Sequence, residues 1–164
     1  MPGITPIVVT ILKQQDSYLF MKRKRAPYEN LLSLVGGKIE PGEHVKEAAL
    51  REVQEETEAT SVKEYKYQGL VSERLVDTAG NLLEHFLIFV NSAVVDDFKE
   101  NHREGTIGPF SVDDIRQRKD ELIPSDWQMF ATFELNNPVT RSYEAELTKS
   151  GSDYILGYFR KVSR

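Results

Sequence analysis

Gly37-Lys-Ile-Glu-Pro-Gly-Glu43 is followed, after a gap, by Arg51-Glu52-Val53-Gln54-Glu55-Glu56. No Gly or Pro interrupts His44 to Glu58, and Val45, Ala48, Ala49, Leu50 and Val53 recur at helical spacing. The pattern predicts a Gly/Pro-bent loop running into a helix over residues 44–57. Glu52, Glu55 and Glu56 stand as i, i+3 and i+4, so their carboxylates share one face. At ~100° per residue they span an arc of about 100°, and Val45, Ala48 and Ala49 point the same way. Glu47, Gln54 and Glu58 fall roughly 140° from the centre of that arc, where solvent is expected.

Like charges at i, i+4 repel, and crowding three of them against a fold costs stability unless a cation neutralises them. Clustered carboxylates suit a hard cation such as Mg²⁺, which takes a few of them and shares its shell with substrate phosphates. The plainer alternative is a solvated acidic face, the usual fate of a charge run. The loop ahead of the helix argues against it, because its Gly and Glu are fixed in register with the helix.

Loop and helix together resemble the Nudix box, G-x5-E-x7-R-E-U-x-E-E-x-G-U, where U is a bulky aliphatic. Gly37 opens it, Glu43 is the loop glutamate, Arg51-Glu52 the RE pair, Val53 the aliphatic and Glu55-Glu56 the EE pair. Glu58 stands where the family has Gly, Ala59 where it has the last aliphatic, and Val35 where many members have Pro. These departures spare the ion-binding positions. They fall on the helix end, where Gly normally takes the left-handed cap and Glu does so at some cost. The resemblance implies Mg²⁺-dependent hydrolysis of a nucleoside diphosphate linked to another moiety, with Mn²⁺ able to substitute.

A chain of 164 residues is expected to form one domain, 1–164, with a real core. Its hydrophobic share of 40% and charged share of 29% are those of a soluble globular protein. With no cysteine, a disulfide framework, a Cys-based zinc site and a thiol nucleophile are all excluded. The start, Met-Pro-Gly-Ile-Thr-Pro, lacks the charged and apolar regions of a signal peptide, and no stretch is long and apolar enough to span a bilayer. A cytoplasmic location and no membrane partner are therefore expected. The net charge of −5 argues against a nucleic-acid polymer as partner, but not against a small phosphorylated ligand. A homodimer stays open.

Along the chain, Ile4 to Leu12 and Tyr18 to Met21 read as a hairpin about the turn at residues 14–17. The basic run Lys22-Arg23-Lys24-Arg25 follows, which can be a phosphate patch, a localisation signal or simply solvated. In MutT-type members a basic residue at this strand end faces phosphate, and Arg23 is the match. Leu31 to Val35 reads as a short strand. Val62 to Val76 and Leu82 to Val95 read as paired strands across the turn at residues 77–81, with an interruption near Gly69. His85 within them is given no role, and residues 96–103 read as a loop. Glu104-Gly105-Thr106-Ile107-Gly108-Pro109-Phe110 resembles the E-G-x-x-G-W-F segment of MutT-type proteins, whose glutamate reaches the metal site. That makes Glu104 a candidate acid, the alternative being an ordinary loop glutamate. Ser111 with Asp114 forms a capping box for a short helix. Ile123-Pro-Ser-Asp-Trp127 opens another, with Ser125 as N-cap. Relatives place a base-binding polar residue near this helix start, which makes Asp126 the candidate, while Trp127 reads as core or as a stacking platform. Arg141 to Leu147 and Tyr154 to Val162 read as a closing hairpin.

Strands dominate, with one long helix. The fold expected is α+β, a mixed sheet sandwiched between helices in an α/β/α arrangement, which also fits the resemblance. The resemblance implies Glu52, Glu55, Glu56, Gly37 (through its carbonyl) and Glu104 as metal ligands. It implies Arg51 as the residue that holds a box glutamate, and Arg23, Lys38 and Asp126 as substrate contacts. Glu55, Glu56 and Glu104 are alternative general bases. The substrate expected is a nucleoside triphosphate, oxidised dGTP (8-oxo-dGTP) being one example. ADP-ribose or a nucleotide sugar is the alternative substrate, and a non-catalytic nucleotide-binding module the alternative function.

Overall fold

The computed structural model describes residues 2–102, 105–139 and 141–162. Ten strands form one mixed sheet: β1 (Ile4–Gln14), β2 (Ser17–Arg23), β3 (Leu32–Ser33), β4 (Val35–Lys38), β5 (Val62–Asp77), β6 (Leu82–Val95), β7 (Asn101–His102), β8 (Gly105–Phe110), β9 (Ser142–Ser150) and β10 (Asp153–Lys161). The main order is β10-β9-β5-β6-β1-β2-β8-β7, with β3 on β2 and β4 on β1. Helix α1 (Val45–Thr57) covers one face, and α2 (Val112–Gln117) and α3 (Pro124–Met129) serve the other. The last of these runs on as a π-helical segment, Phe130–Leu135. This is the α/β/α arrangement expected, and the helix over residues 44–57 lies where its periodicity places it.

Strand β1 organises the layers. It runs parallel to β6 from Ile4 to Lys13, and its middle pairs antiparallel with β4, Val8 opposite Gly37 and Val9 opposite Gly36. Side chains alternate across a strand. Val8 therefore packs under α1 against Ala48 and Ala49. Val9 and Ile11 join Phe20, Ile115, Met129 and Phe130 on the opposite face. Leu12, Leu19, Val35 and Val53 continue the core under α1. Each fully buried aliphatic of this kind stabilises by roughly 1.5–3 kcal/mol relative to exposure.

The structure differs from the pattern reading at three points. Asn101–His102 pairs with β8, so the stretch read as a loop contains a strand. The N-cap of α3 is Ile123 and Pro124 sits in its first turn, so Ser125 lies inside the helix and fully buried. Proline's missing N–H is harmless there, which is why the helix starts two residues earlier than a serine cap suggests. The last hairpin is tighter, its strands reaching Ser150 and Asp153. Glu58 does take the left-handed cap, with φ 52°, and its N–H still closes the helix on the Gln54 carbonyl at 2.9 Å.

Gly36 is where β4 meets β1 most closely. A Cβ built on it overlaps the Val8 carbonyl oxygen and falls 2.9 Å from Val9 Cα. Gly36→Ala is therefore expected to lower unfolding free energy in urea by about 1–3 kcal/mol, the scale of overpacking. Gly3→Ala, with open space around it, is the control and should change nothing. Equal midpoints for the two variants would contradict the close approach.

Candidate functional site

Residues from β1, β2, β4, α1, β5, β6 and α3 surround one cleft of about 1020 Å³. Arg51 organises its rim. Its Nε and one Nη donate to the two oxygens of Glu43 at 2.7 and 2.8 Å, a bidentate pair. The other Nη donates to Glu52 at 2.9 Å and Glu55 at 3.2 Å, and the guanidinium also reaches the Lys38 carbonyl at 3.1 Å. Glu43 in turn accepts the Glu40 N–H at 2.8 Å, which closes the loop on itself. The Arg51 hydrogen bonds hold the Glu43 carboxyl down at about 2, and the same contacts push the Arg51 guanidinium up. The loop is therefore fixed to the helix by charge.

Glu56 is 2% exposed and accepts the Gly36 N–H at 3.2 Å. Glu52 lies over Gly37, so closely that a Cβ there would overlap its carboxylate. Glu55 is the exposed member, with 58% of its side chain accessible. Glu47, Gln54 and Glu58 face solvent as expected, and Glu47 accepts the His44 N–H at 3.3 Å. The three box glutamates border one cleft, but among the described residues they do not form a ready-made ligand shell. Arg51 hydrogen-bonds both Glu52 and Glu55, so one guanidinium offsets their mutual repulsion. The donor set still fits a hard cation: carboxylate oxygens, plus a backbone laid bare by Gly37 where a Cβ would fill the space.

Glu104 lies outside the described residues. Arg23 ends β2 beside the cleft, its Nε donating to the Pro27 carbonyl at 3.0 Å. Lys38 stands exposed on the same rim. Asp126 reaches the cleft from α3, 6% exposed, and accepts the Leu34 N–H at 2.8 Å. Trp127 packs on Phe130 as core. His85 faces Ser72 Oγ at 3.2 Å, away from the acids.

One cleft residue has no sequence signal. Glu73 is 2% exposed in the middle of β5 and accepts the Tyr28 hydroxyl at 3.0 Å. Local alternation along β5 places it inward, but nothing nearby in sequence announces an acid pocket. Its neighbours Tyr28 and Asp126 are 45 residues upstream and 53 downstream. Burial pushes the Glu73 carboxyl up. Burial, and next the Glu73 charge, push Asp126 up to about 7.

This gives Asp126 a stability signature. An acid whose folded pKa is raised takes up protons on folding, so it costs stability as pH rises from about 4 to 7. Asp126→Asn removes the charge and keeps an acceptor for the Leu34 N–H. Its Tm is expected to exceed the wild-type value by at least ~2–4 °C at pH 8, with the gap shrinking at pH 5. A gap that grows on acidification would reverse the sign of the shift.

The NUDIX domain model matches residues 1–133 of this chain. An ADP-ribose pyrophosphatase of Methanocaldococcus jannaschii is 43% identical over 47 residues, 29% of this chain and 28% of that protein. A putative 8-oxo-dGTP diphosphatase of Bacillus subtilis is 45% identical over 49 residues, 30% and 31% of the two chains. The matched stretches thus span less than a third of these relatives. The crystal structure of the Mutator MutT protein from Bacillus halodurans superposes with a TM-score of 0.71 at 21% identity, covering 95% of this chain and 96% of that one. At that identity the superposition speaks for the fold. Among the described residues no helix is long and apolar enough to cross a membrane. With its loop-and-helix box in place in the fold and the family model covering most of its length, the chain belongs to the Nudix family.

Proposed function

We propose that residues 1–164 act as one Mg²⁺-dependent hydrolase domain. It cleaves the pyrophosphate linkage of a nucleoside triphosphate, oxidised or not, to the monophosphate and pyrophosphate. The observation that carries this reading is one cleft with two kinds of lining. The α1 glutamates and Arg51 line it, and so do buried Asp126 and the apolar Ile7, Phe86 and Ile88. Phosphates suit the first kind when a cation is bound, and a flat aromatic base suits the second. The likeness to a protein named for 8-oxo-dGTP supports a triphosphate substrate. A likeness of the same extent to an ADP-ribose pyrophosphatase makes ADP-ribose the second reading.

Glu52, Glu55 and Glu56 would hold the cation, with the Gly37 carbonyl, and Glu104 is proposed to join them. Bound there, Mg²⁺ supplies neutralisation of the polyphosphate and a more acidic water. Arg51 positions rather than reacts: its bidentate grip on Glu43 and its contacts to Glu52 and Glu55 set where the carboxylates stand. Arg23 and Lys38, which both line the cleft, bring positive charge to the phosphates. Glu55 and Glu56 both border the cleft and are the described candidates to take the proton from water; Glu104 is the third.

Activity is expected to require millimolar-range divalent metal, Mg²⁺ or Mn²⁺, and to stop in excess EDTA. The first products from a triphosphate should be monophosphate and intact pyrophosphate, read by phosphorus NMR. Orthophosphate plus diphosphate would mean another reaction. Glu55→Gln and Glu56→Gln should each lower kcat by about 10²–10⁴-fold, with metal-free melting unchanged or raised because a repelling charge is gone. Glu47→Gln, on the solvent face, should retain activity. Equal damage from Glu47→Gln and Glu56→Gln would overturn the assignment of helix faces.

A further inference from the structure

Glu73 has no part in the chemistry above, yet it occupies the inner wall of the same cleft. It lies in the sheet interior, opposite Phe86 of β6 and Ala145 of β9. An ionisable group at such a position costs stability unless it is paired or functional. Tyr28 donates to one of its oxygens. Ser125 faces the same carboxyl, but neither its Oγ nor Glu73 Oε1 meets a hydrogen-bonding partner of good geometry among the described residues. Asp126 follows Ser125 and keeps one oxygen on the Leu34 N–H. The charged and titratable groups facing this pair are Arg23 from the end of β2, Tyr28 from the loop after it, and Glu84 of β6 on the cleft wall. Tyr154 of β10 packs against Tyr28 with its ring tilted and donates to Glu29. The cation that acts on Asp126 is Arg23, whose Nε is held by a backbone carbonyl.

Two carboxyls buried together with one modest counter-charge retain a proton between them. Such a pair offers one O–H donor beside one acceptor. We propose that Glu73 is a specificity-determining residue, which with Asp126 reads a nucleobase edge carrying an acceptor beside a donor, as the lactam edge of a 6-oxopurine does. The inference rests on the reading of the cleft as a nucleotide site. It goes further in giving Glu73 a contact with the base and in making base preference depend on a shared proton. Asp126, raised to about 7 by burial and then by the Glu73 charge, puts the loss of that proton near neutrality.

The test is calorimetric binding of two probes to the full chain in EDTA at about pH 6 and about pH 8. Guanosine monophosphate carries the lactam edge. Purine riboside monophosphate has the same phosphate and stacks alike but has no group at position 6. Phosphate ionisation is common to both, so the ratio of affinities isolates the edge. The wild type should prefer guanosine monophosphate by about tenfold or more at pH 6, since a site built to hydrogen-bond rejects a ligand lacking the partner. The preference should fall at pH 8, above the value to which Asp126 is raised. Glu73→Gln imitates the protonated acid, so it should keep the preference and flatten its pH dependence. Glu73→Leu removes both functions, so the ratio should drop to about one. A buried glutamate with only a structural role would leave the ratio and its pH profile at wild-type values in Glu73→Gln, and that result would overturn the inference. If Glu73→Leu fails to fold, Glu73→Gln decides alone, because it keeps volume and the acceptor for Tyr28. Wild-type binding of both probes without preference would sink this inference and spare the proposed hydrolase. Binding of neither would sink this inference, while the proposed hydrolase stands or falls on its Mg²⁺-dependent turnover.

Discussion

The structure depends on how closely β4 can approach β1 and α1. At Gly36 the strand backbone lies against the Val8 carbonyl, and at Gly37 against the Glu52 carboxylate. No side chain fits against the backbone at Gly36, and at Gly37 one would have to displace the Glu52 carboxylate, so the helix can settle onto the strand. Ala48 and Ala49 pack on Val8 as a result, and Glu56 can reach the Gly36 N–H although almost fully buried. A side chain at Gly36 would push β4 off β1, and one at Gly37 would displace the Glu52 carboxylate in the cleft. Packing and site are thus set by the same two residues. Glycine's entropic disadvantage is accepted here because close backbone approach has no other solution.

Arg51 answers the next difficulty. The helix presents several carboxylates on one side, which repel. One guanidinium spans Glu43, Glu52 and Glu55, and it ties the loop to the helix while offsetting their repulsion. Arginine suits this because its planar fork serves two carboxylates in fixed directions, which a lysine cannot do. The arrangement is also labile in the useful direction. Glu55 is exposed and its contact with Arg51 is the longest of the three, so it is the acid most easily turned toward a cation.

Much of this was legible in the sequence, for physical reasons. The helix over residues 44–57 follows from uninterrupted 3.6-residue periodicity, and the observed helix is Val45–Thr57. The paired strands ending at Asp77 and starting at Leu82 follow from alternation around a strong turn. The face carrying Glu52 and Glu56 could be told from the face carrying Glu47 and Gln54, because helix geometry fixes direction once the apolar stripe is known. Other features were not legible. The two-residue strand Asn101–His102 is too short for a periodic signal. Ser125 looked like a cap because capping chemistry is local, whereas its burial is set by β5, which crosses beneath it. That Arg51 would hydrogen-bond both Glu52 and Glu55 is a choice of side-chain rotamer, which sequence spacing does not specify. Glu104 belongs to the family pattern but lies outside the described residues, so its place is a proposal still.

The two linings of the cleft follow opposite electrostatic logic, and that contrast explains why only one was readable. In the first the acids come from one helix and one loop, so spacing in sequence is spacing in space. Glu43 among them is held well down by the bidentate Arg51 guanidinium. In the second the acids come from strand β5 and helix α3, brought together by the sheet. They are starved of counter-charge and water, and Asp126 is raised instead. Ionised carboxylates are acceptors only, which suits cations and the protons of attacking water. A carboxyl that keeps its proton can also donate, which suits the mixed edge of a base. On the proposed reading one side-chain chemistry serves two tasks in one cleft, and solvent access with the reach of arginine decides which. A residue such as Glu73 has no meaning in its own stretch of sequence; it acquires one only when β5 carries it beside Asp126.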